Sequence, residues 1–190
     1  MPGALLKPAL RAMCVSMFSF VGLQTLFTGF FVLYLVRGLG YELERAGGVF
    51  AIAVAVAIPA RIGWAWLSDA IGRRMVFALL FLVQAVLFWI LPSASSSFAL
   101  TAIAFVILTC YGGGFGTMPA TVADTFGPKN VGAIYGLMLT AWGLASVFGP
   151  LLVAFAREQA GSYAGPLRAI AGLMVVSAAL PALTRISSRD

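Results

Sequence analysis

Arg61 stands inside an apolar run, in the stretch PARIGWAWLSDAIGRR that extends from Pro59 to Arg74. A guanidinium in such surroundings carries a desolvation cost, so it normally faces a polar cavity or a partner. Its planar fork of donors matches a carboxylate and keeps its proton at any accessible pH. Arg61 is therefore a candidate anion ligand; the alternative is an arginine that is paired within the protein or satisfied by backbone carbonyls.

The same stretch closes on a group of charged residues, Asp69, Arg73 and Arg74, around a glycine at position 72. Gly72 permits a tight reversal of the chain, which brings the two sides of the turn close together. Asp124, at the end of a later apolar run, is the expected partner of Arg73. These residues predict a small ion-pair cluster that holds one conformation closed. The alternative is that Arg73 and Arg74 only set the membrane topology.

Three further side chains are candidates for lining a substrate cavity: Tyr111, Tyr135 and Gln24. Each places a polar group within an apolar segment, where an anion or its hydroxyl groups would need a donor. Such residues also serve as interfacial anchors, as interhelical hydrogen-bond donors or as packing groups, and these alternatives stay open.

Glycines recur at a spacing of four, at Gly112 and Gly116 and again at Gly132 and Gly136, which favours close packing of helix backbones. The stretch YGGGFG does not have the spacing of a nucleotide-binding loop. The chain has no histidine, and both of its cysteines lie in apolar runs, so we expect no metal site, no disulfide framework and no cofactor. No hydrolytic motif is present, and we expect no enzymatic activity.

The composition indicates the class of protein that must position these residues. Hydrophobic residues make up 62% of the 190 and charged residues only 9%, and the mean hydropathy is +1.02, which is too apolar for a water-soluble globule. The net charge of +6 comes from basic residues scattered at the ends of apolar segments, and this pattern does not favour nucleic-acid binding. The chain is predicted to be an integral membrane protein.

The apolar runs predict one bundle over residues 1–190, all-α and polytopic, with each run near the ~20 residues that a helix needs to cross ~30 Å of hydrocarbon. Six spans are expected, at about 12–36, 46–68, 75–92, 98–121, 131–156 and 166–184. The connections between them are short and rich in glycine, proline and polar residues, so none holds a separate soluble domain.

The distribution of Lys and Arg predicts the orientation of the bundle. With the N-terminus inside, the inner side holds Lys7, Arg11, Arg73, Arg74, Lys129, Arg185 and Arg189, and the outer side holds Arg37, Arg45, Arg157 and Arg168. This excess on the inner side predicts a multi-pass protein of the cell (inner) membrane with both termini in the cytoplasm. Arg61 lies eight residues before Asp69, which places it ~12 Å above that end and near the middle of the membrane.

The stretch WLSDAIGRR at residues 66–74 resembles the loop signature of the major facilitator superfamily, usually written G-x-L-a-D-R/K-x-G-R/K-R/K. The sequence departs from that signature at Ala65, in place of glycine, and at Ala70, in place of a basic residue. In the superfamily the signature follows the second helix of each six-helix half and has a gating role. The resemblance therefore implies one half of a major facilitator fold.

Residues 111–152 are similar to the end of the tenth and the eleventh helix of the oxalate/formate antiporter family. The resemblance implies that the six spans are helices seven to twelve of a twelve-helix transporter, and that Arg61 is a substrate-binding residue. Members of that family are expected to carry a lysine where this chain has Trp142. One cation in the cavity suits a monocarboxylate, or an amphipathic anion that lies on the indole, better than oxalate.

The expected function is transport of a small organic anion, a monocarboxylate or a dicarboxylate, by alternating access. Antiport and proton symport both stay open. The alternative is a truncated or split membrane subunit that associates with a partner half without transport. Because a half-carrier has only one of the two bundles that enclose a midplane site, the expected protein partner is a complementary N-terminal six-helix half or a second copy in a homodimer.

Overall fold

A computed structural model describes residues 40–94, 96–161 and 164–183, together with Val32, Leu35 and Val36. Long α-helices make up most of these ranges, which contain no strand. The helices are, in chain order, α1 (Leu43–Ile71), α2 (Arg73–Ile90), α3 (Ser97–Phe126), α4 (Val131–Ala160) and α5 (Ala164–Leu183). Short 3-10 turns at Leu91–Ser93 and Pro128–Asn130 follow α2 and α3.

Four of the five helices are long and apolar enough to cross a membrane, over Leu43–Ile71, Arg73–Ser93, Phe98–Phe126 and Pro128–Phe148. The apolar stretch of α5 is shorter, Ala164–Ala179. The prediction of an all-α polytopic membrane protein is thereby confirmed.

The helices contain the predicted spans and extend beyond most of them. The runs 46–68, 98–121 and 131–156 each lie within one helix, the run 75–92 continues from α2 into the 3-10 turn at Leu91–Ser93, and α5 covers the run 166–184 as far as residue 183. The first predicted run, 12–36, lies outside the described residues apart from three isolated positions. The count of six spans therefore stays a prediction.

Three of the described helices, α1, α3 and α4, end at glycines that adopt positive φ, a backbone conformation that L side chains rarely take. Gly72 follows α1 with φ of 91°, and Gly127 follows α3 with φ of 82°. Because α2 begins directly after Gly72, a single residue reverses the chain between α1 and α2. Asp69 therefore lies in the last turn of α1, inside the helix, and the reversal brings the start of α2 close to it.

The helices pack in two pairs, with α1 mainly against α3 and α2 mainly against α5. Phe81 and Phe88 of α2, Ile107 of α3 and Met174 of α5 are buried in the common core. α4 packs less extensively, on α3 and α5. The pairing of α1 with α3 matters most for function, because those two helices carry the residues described next.

Large apolar side chains on α1 point away from the described bundle. Ile62 is 73% exposed and Trp66 is 71% exposed. In water such a surface would favour aggregation, whereas lipid or a second bundle of helices covers it without a cost in desolvation. The exposed face of α1 is therefore consistent with a membrane protein.

Candidate functional site

Arg73 is the centre of a polar cluster at the turn between α1 and α2. Its Nε donates a hydrogen bond to Oδ2 of Asp124 over 3.0 Å, and its Nη1 donates to Oγ of Ser68 over 2.8 Å. Its Nη2 lies 2.6 Å from Oδ1 of Asp69. We call these four residues the Arg73 cluster. The expected pair of Arg73 and Asp124 is present, and the planar fork of the arginine serves all three partners at once.

The Arg73 cluster joins the ends of three helices, because Ser68 and Asp69 belong to α1, Arg73 to α2 and Asp124 to α3. The side chain of Arg73 is 19% exposed, whereas those of Asp69 and Asp124 are 65% and 40% exposed. Exposed ion pairs of this kind contribute about 0.2–1 kcal/mol each. The contact to Asp124, the less exposed of the two carboxylates, should contribute more than the contact to Asp69.

Gly72 makes the cluster possible and Ser68 completes it. With φ of 91°, Gly72 turns the chain so that Arg73 points back over the last turn of α1. Ser68 is buried, and nothing in its residue type distinguishes it from other serines, so the sequence did not identify it. Its position one residue before Asp69 was the only signal. Arg74 is exposed at the start of α2.

Arg61 lies where α1 approaches α3 most closely. A Cβ atom placed on Gly112 would lie 2.7 Å from the carbonyl oxygen of Ala57 and 3.0 Å from Cγ of Arg61. A Cβ placed on Gly116 would lie 3.0 Å from the carbonyl oxygen of Arg61. The 2.7 Å distance at Gly112 is shorter than real Cβ contacts allow and the 3.0 Å distances are tighter than most, so the backbone of α1 rests directly on glycines of α3. The expected close packing at Gly112 and Gly116 is present, and its partner is the helix segment that carries Arg61.

The second glycine pair does not behave as expected within the described chain. No described atom lies within 4 Å of a Cβ built on Gly132 or Gly136. The predicted close packing of a helix against these two glycines is therefore wrong for the described part of the bundle. The reason is that α4 packs only lightly on its neighbours, so this stretch of its surface stays open.

Aromatic side chains connect α3 to α4. The rings of Tyr111 and Phe115, one helical turn apart on α3, meet edge to face with centroids 5.0 Å apart. The rings of Phe115 and Trp142, on α3 and α4, meet edge to face at 6.2 Å. Aromatic pairs favour this geometry because the positive edge of one ring faces the negative face of the other. Phe115 was missed in the sequence; its spacing of four from Tyr111 was the available signal.

Tyr135 brings α4 close to Arg61. Tyr135 lies within electrostatic range of the Arg61 guanidinium. Trp142 lies two turns further along α4. We call Arg61, Tyr111, Phe115, Tyr135 and Trp142 the mid-depth group. Arg61 is exposed in the described chain, so its guanidinium is accessible to an anion from this side.

Of the five predicted substrate-contacting residues, Tyr111 and Trp142 are linked through the ring of Phe115, and Tyr135 lies within electrostatic range of Arg61. Gln24, the fifth, lies outside the described residues. Counted along the helices at ~1.5 Å per residue, Arg61 lies ~12 Å from Asp69 and Phe115 lies ~13 Å from Asp124. The mid-depth group and the Arg73 cluster are therefore separate groups of residues. They lie ~12–13 Å apart along α1 and α3, the two helices that both groups share.

Comparison with known proteins gives two matches. The sequence model of the Major Facilitator Superfamily matches residues 3–189. The chain is also similar to the oxalate:formate antiporter of Oxalobacter formigenes, with 30% identity over 116 residues. That match covers 58% of this chain and 28% of the antiporter, so the chain spans little more than a quarter of the length of that relative.

Proposed function

Since this chain belongs to the Major Facilitator Superfamily, we propose that it contributes the C-terminal six-helix half of a carrier that moves a small organic anion across the cell (inner) membrane. The single observation that carries the proposal is the position of Arg61, an accessible arginine in the middle of a helix long and apolar enough to span a membrane. The similarity to an oxalate:formate antiporter supports an anionic substrate.

The binding step follows from the chemistry of Arg61. A guanidinium donates two parallel hydrogen bonds to a carboxylate, and it stays charged throughout the transport cycle. Near the middle of a membrane the low dielectric strengthens this attraction relative to water. The hydroxyl of Tyr135, which lies within electrostatic range of Arg61, is a further donor for the bound carboxylate. An anion bound near the middle of the membrane can be exposed to one side and then to the other when two bundles rock about it.

The remainder of the mid-depth group favours a monocarboxylate over a dicarboxylate. In the described ranges Arg61 is the one basic residue at this depth, and the rings of Phe115 and Trp142 join the helices α3 and α4 at a similar depth. A second carboxylate there would lose its hydration without gaining a cationic partner. The apolar part of a monocarboxylate, by contrast, packs on an aromatic ring.

The Arg73 cluster is proposed to stabilise one state of the carrier by fixing the turn between α1 and α2. Asp69, Arg73 and Asp124 would do this through the ion pairs described above, with Gly72 shaping the turn and Arg74 beside it. The other interpretation assigns Arg73 and Arg74 to membrane topology alone, with both termini in the cytoplasm. The two interpretations differ in whether the geometry of the arginine matters or only its charge.

A second candidate function is association with a partner half without transport by this chain itself. The observation that favours it is the match to only 28% of the antiporter's length. A midplane site is normally enclosed by two bundles, and the mid-depth group is open on the side away from α1–α5. The complementary half would be an N-terminal six-helix bundle or a second copy of this chain.

Proteoliposomes test both candidates. The chain is reconstituted alone and with a complementary N-terminal half, and uptake of labelled formate, lactate and oxalate is measured with and without a proton gradient. We expect uptake of formate and lactate to exceed uptake of oxalate in one of the preparations. Absence of uptake from both preparations would leave the non-transporting subunit as the function.

Variants at two arginines of α1 locate the anion site. We expect Arg61→Gln to raise the half-saturating concentration at least tenfold, because a charged hydrogen-bonding pair contributes ~1.5–3 kcal/mol. Arg45→Gln is the matched control, since Arg45 is an exposed arginine on the same helix, ~24 Å away. An unchanged half-saturating concentration for Arg61→Gln would show that the anion binds elsewhere.

A further inference from the structure

The closest contact between α1 and α3 lies directly under Arg61. A Cβ atom on Gly112 would lie 2.7 Å from the carbonyl oxygen of Ala57, and a Cβ atom on Gly116 would lie 3.0 Å from the carbonyl oxygen of Arg61. The atoms approached at Arg61 are its carbonyl oxygen, its Cβ and its Cγ, which are the root of the side chain. We infer that Gly112 and Gly116 are positioning residues for the anion site, because they fix where the Arg61 guanidinium begins. This inference rests on the proposed function of Arg61.

Arg61 needs to be positioned because it has a long side chain and lies on an exposed surface. A free arginine there would sample many rotamers, and ordering it on the substrate costs up to ~1.5–2 kcal/mol of conformational entropy. Cγ of Arg61 lies only 3.0 Å from where a Cβ of Gly112 would stand, so the wall of α3 limits the first torsion of the side chain, and the backbone of Arg61 lies equally close to the Cβ position of Gly116. The guanidinium is then partly pre-organised, and a pre-organised ligand binds its substrate more tightly.

The size of the effect follows from the distances. A Cβ on Gly112 would lie 2.7 Å from the carbonyl oxygen of Ala57, whereas an ordinary contact begins at 3.4 Å. The two atoms would therefore have to move apart by about 0.7 Å. Because the atom in the way is a backbone carbonyl, the helix itself must move. Where function depends on geometry, a misplacement of ~1 Å costs up to ~100-fold. We therefore expect Gly112→Ala to raise the half-saturating anion concentration roughly tenfold.

Gly113 is the matched control for general disruption. A Cβ on Gly113 would lie 2.5 Å from Cγ of Trp64, so Gly113→Ala overpacks the same pair of helices without contacting Arg61. Gly136→Ala is the control for substitution as such, since no described atom lies within 4 Å of its Cβ. Comparison of these three variants distinguishes an effect on the position of Arg61 from an effect on the stability of the bundle.

The experiment measures the melting temperature of each purified variant and its half-saturating concentration for uptake of labelled formate and lactate, with the complementary half where uptake requires it. The expected result is that Gly112→Ala and Gly113→Ala lower the melting temperature alike, but only Gly112→Ala weakens half-saturation. Equal weakening by the two variants, or none by Gly112→Ala, overturns the inference. If Gly112→Ala does not fold, Gly116→Ala takes its place, because its Cβ contacts are longer, at 3.0 Å and above.

Arg61→Gln distinguishes failure of this inference from failure of the proposed function. If Arg61→Gln weakens half-saturation and Gly112→Ala does not, only the positioning role is wrong. If Arg61→Gln does not change the half-saturating concentration, both the proposed anion site and the positioning role are wrong.

Discussion

Replacement of Arg73 by lysine separates a geometric role of this residue from a purely topological one. Lysine keeps the positive charge at position 73, so membrane orientation is preserved. It cannot keep the geometry, because a single ammonium group does not reach Ser68, Asp69 and Asp124 as the three nitrogens of the guanidinium do. We therefore expect Arg73→Lys to behave more like Arg73→Gln than like the unaltered chain.

The magnitude follows from the exposure of the partners. The pair with Asp69 is mostly solvated, at 65% exposure, and should contribute only about 0.2–0.5 kcal/mol. The pair with Asp124 joins a side chain of 19% exposure to one of 40%, which favours the upper end of the range, about 1 kcal/mol. The hydrogen bond to buried Ser68 adds about 1 kcal/mol. Since the contacts are not additive, we expect Arg73→Gln to cost about 1–2 kcal/mol and Arg73→Lys at least half of that.

The assay is equilibrium unfolding of the purified chain, by titration of SDS into dodecyl-maltoside micelles with circular dichroism as the signal. Lys129→Gln is the control for loss of one positive charge, because Lys129 is exposed in the next short connection on the same side. A topology reporter fused to the C-terminus confirms that each variant inserts in one orientation. The reasoning is refuted if Arg73→Lys unfolds with the free energy of the unaltered chain, or if Lys129→Gln costs as much as Arg73→Gln.

Three further outcomes follow from the same contacts. Gly113→Ala should lower the free energy of unfolding by about 1–3 kcal/mol through overpacking, while Gly136→Ala should raise it by up to about 1 kcal/mol, because alanine favours a helix more than glycine does and its Cβ meets no described atom there; the same SDS titration measures both. Trp142→Ala and Phe115→Ala should weaken uptake of lactate more than uptake of formate, because formate has no apolar part to pack on a ring; competition of the two anions for uptake checks this. The cost of Arg73→Gln should fall as NaCl is raised from ~0.01 to ~1 M, because salt screens partly exposed pairs; repeating the titration at each salt concentration tests it.

The sequence predicted those features that depend on residue type and local spacing. The apolar runs gave the helices, Gly72 marked the reversal, and opposite charges at Arg73 and Asp124 predicted their pair. The ends of the helices were less predictable, because backbone hydrogen bonds continue past the apolar run until a residue stops them. For this reason α1 includes Asp69 and ends only at Gly72.

Features that depend on which helices touch were not predictable from one sequence. Gly112 and Gly136 lie in the same kind of four-residue glycine spacing, yet only Gly112 meets a neighbouring backbone. The difference arises from packing, since α3 lies against α1 along its length whereas α4 is largely open. The roles of Phe115 and Ser68 were not predictable for the same reason, because an apolar ring and a hydroxyl acquire a role only from their neighbours on another helix.

The position of the Arg73 cluster limits how it can act in a transport cycle. A latch must connect parts that separate, but all four residues of the cluster belong to α1, α2 and α3, and α1 and α3 are also held together by backbone contact at Gly112 and Gly116. These two attachments, roughly 12 Å apart along the helices, fix the pair at two heights and resist both sliding and splaying. The cluster therefore stiffens one bundle so that it moves as a unit. In the proposed carrier, any effect on gating would be exerted through the α1–α2 turn against a facing bundle, and the same stiffness would keep Arg61 in place during the movement.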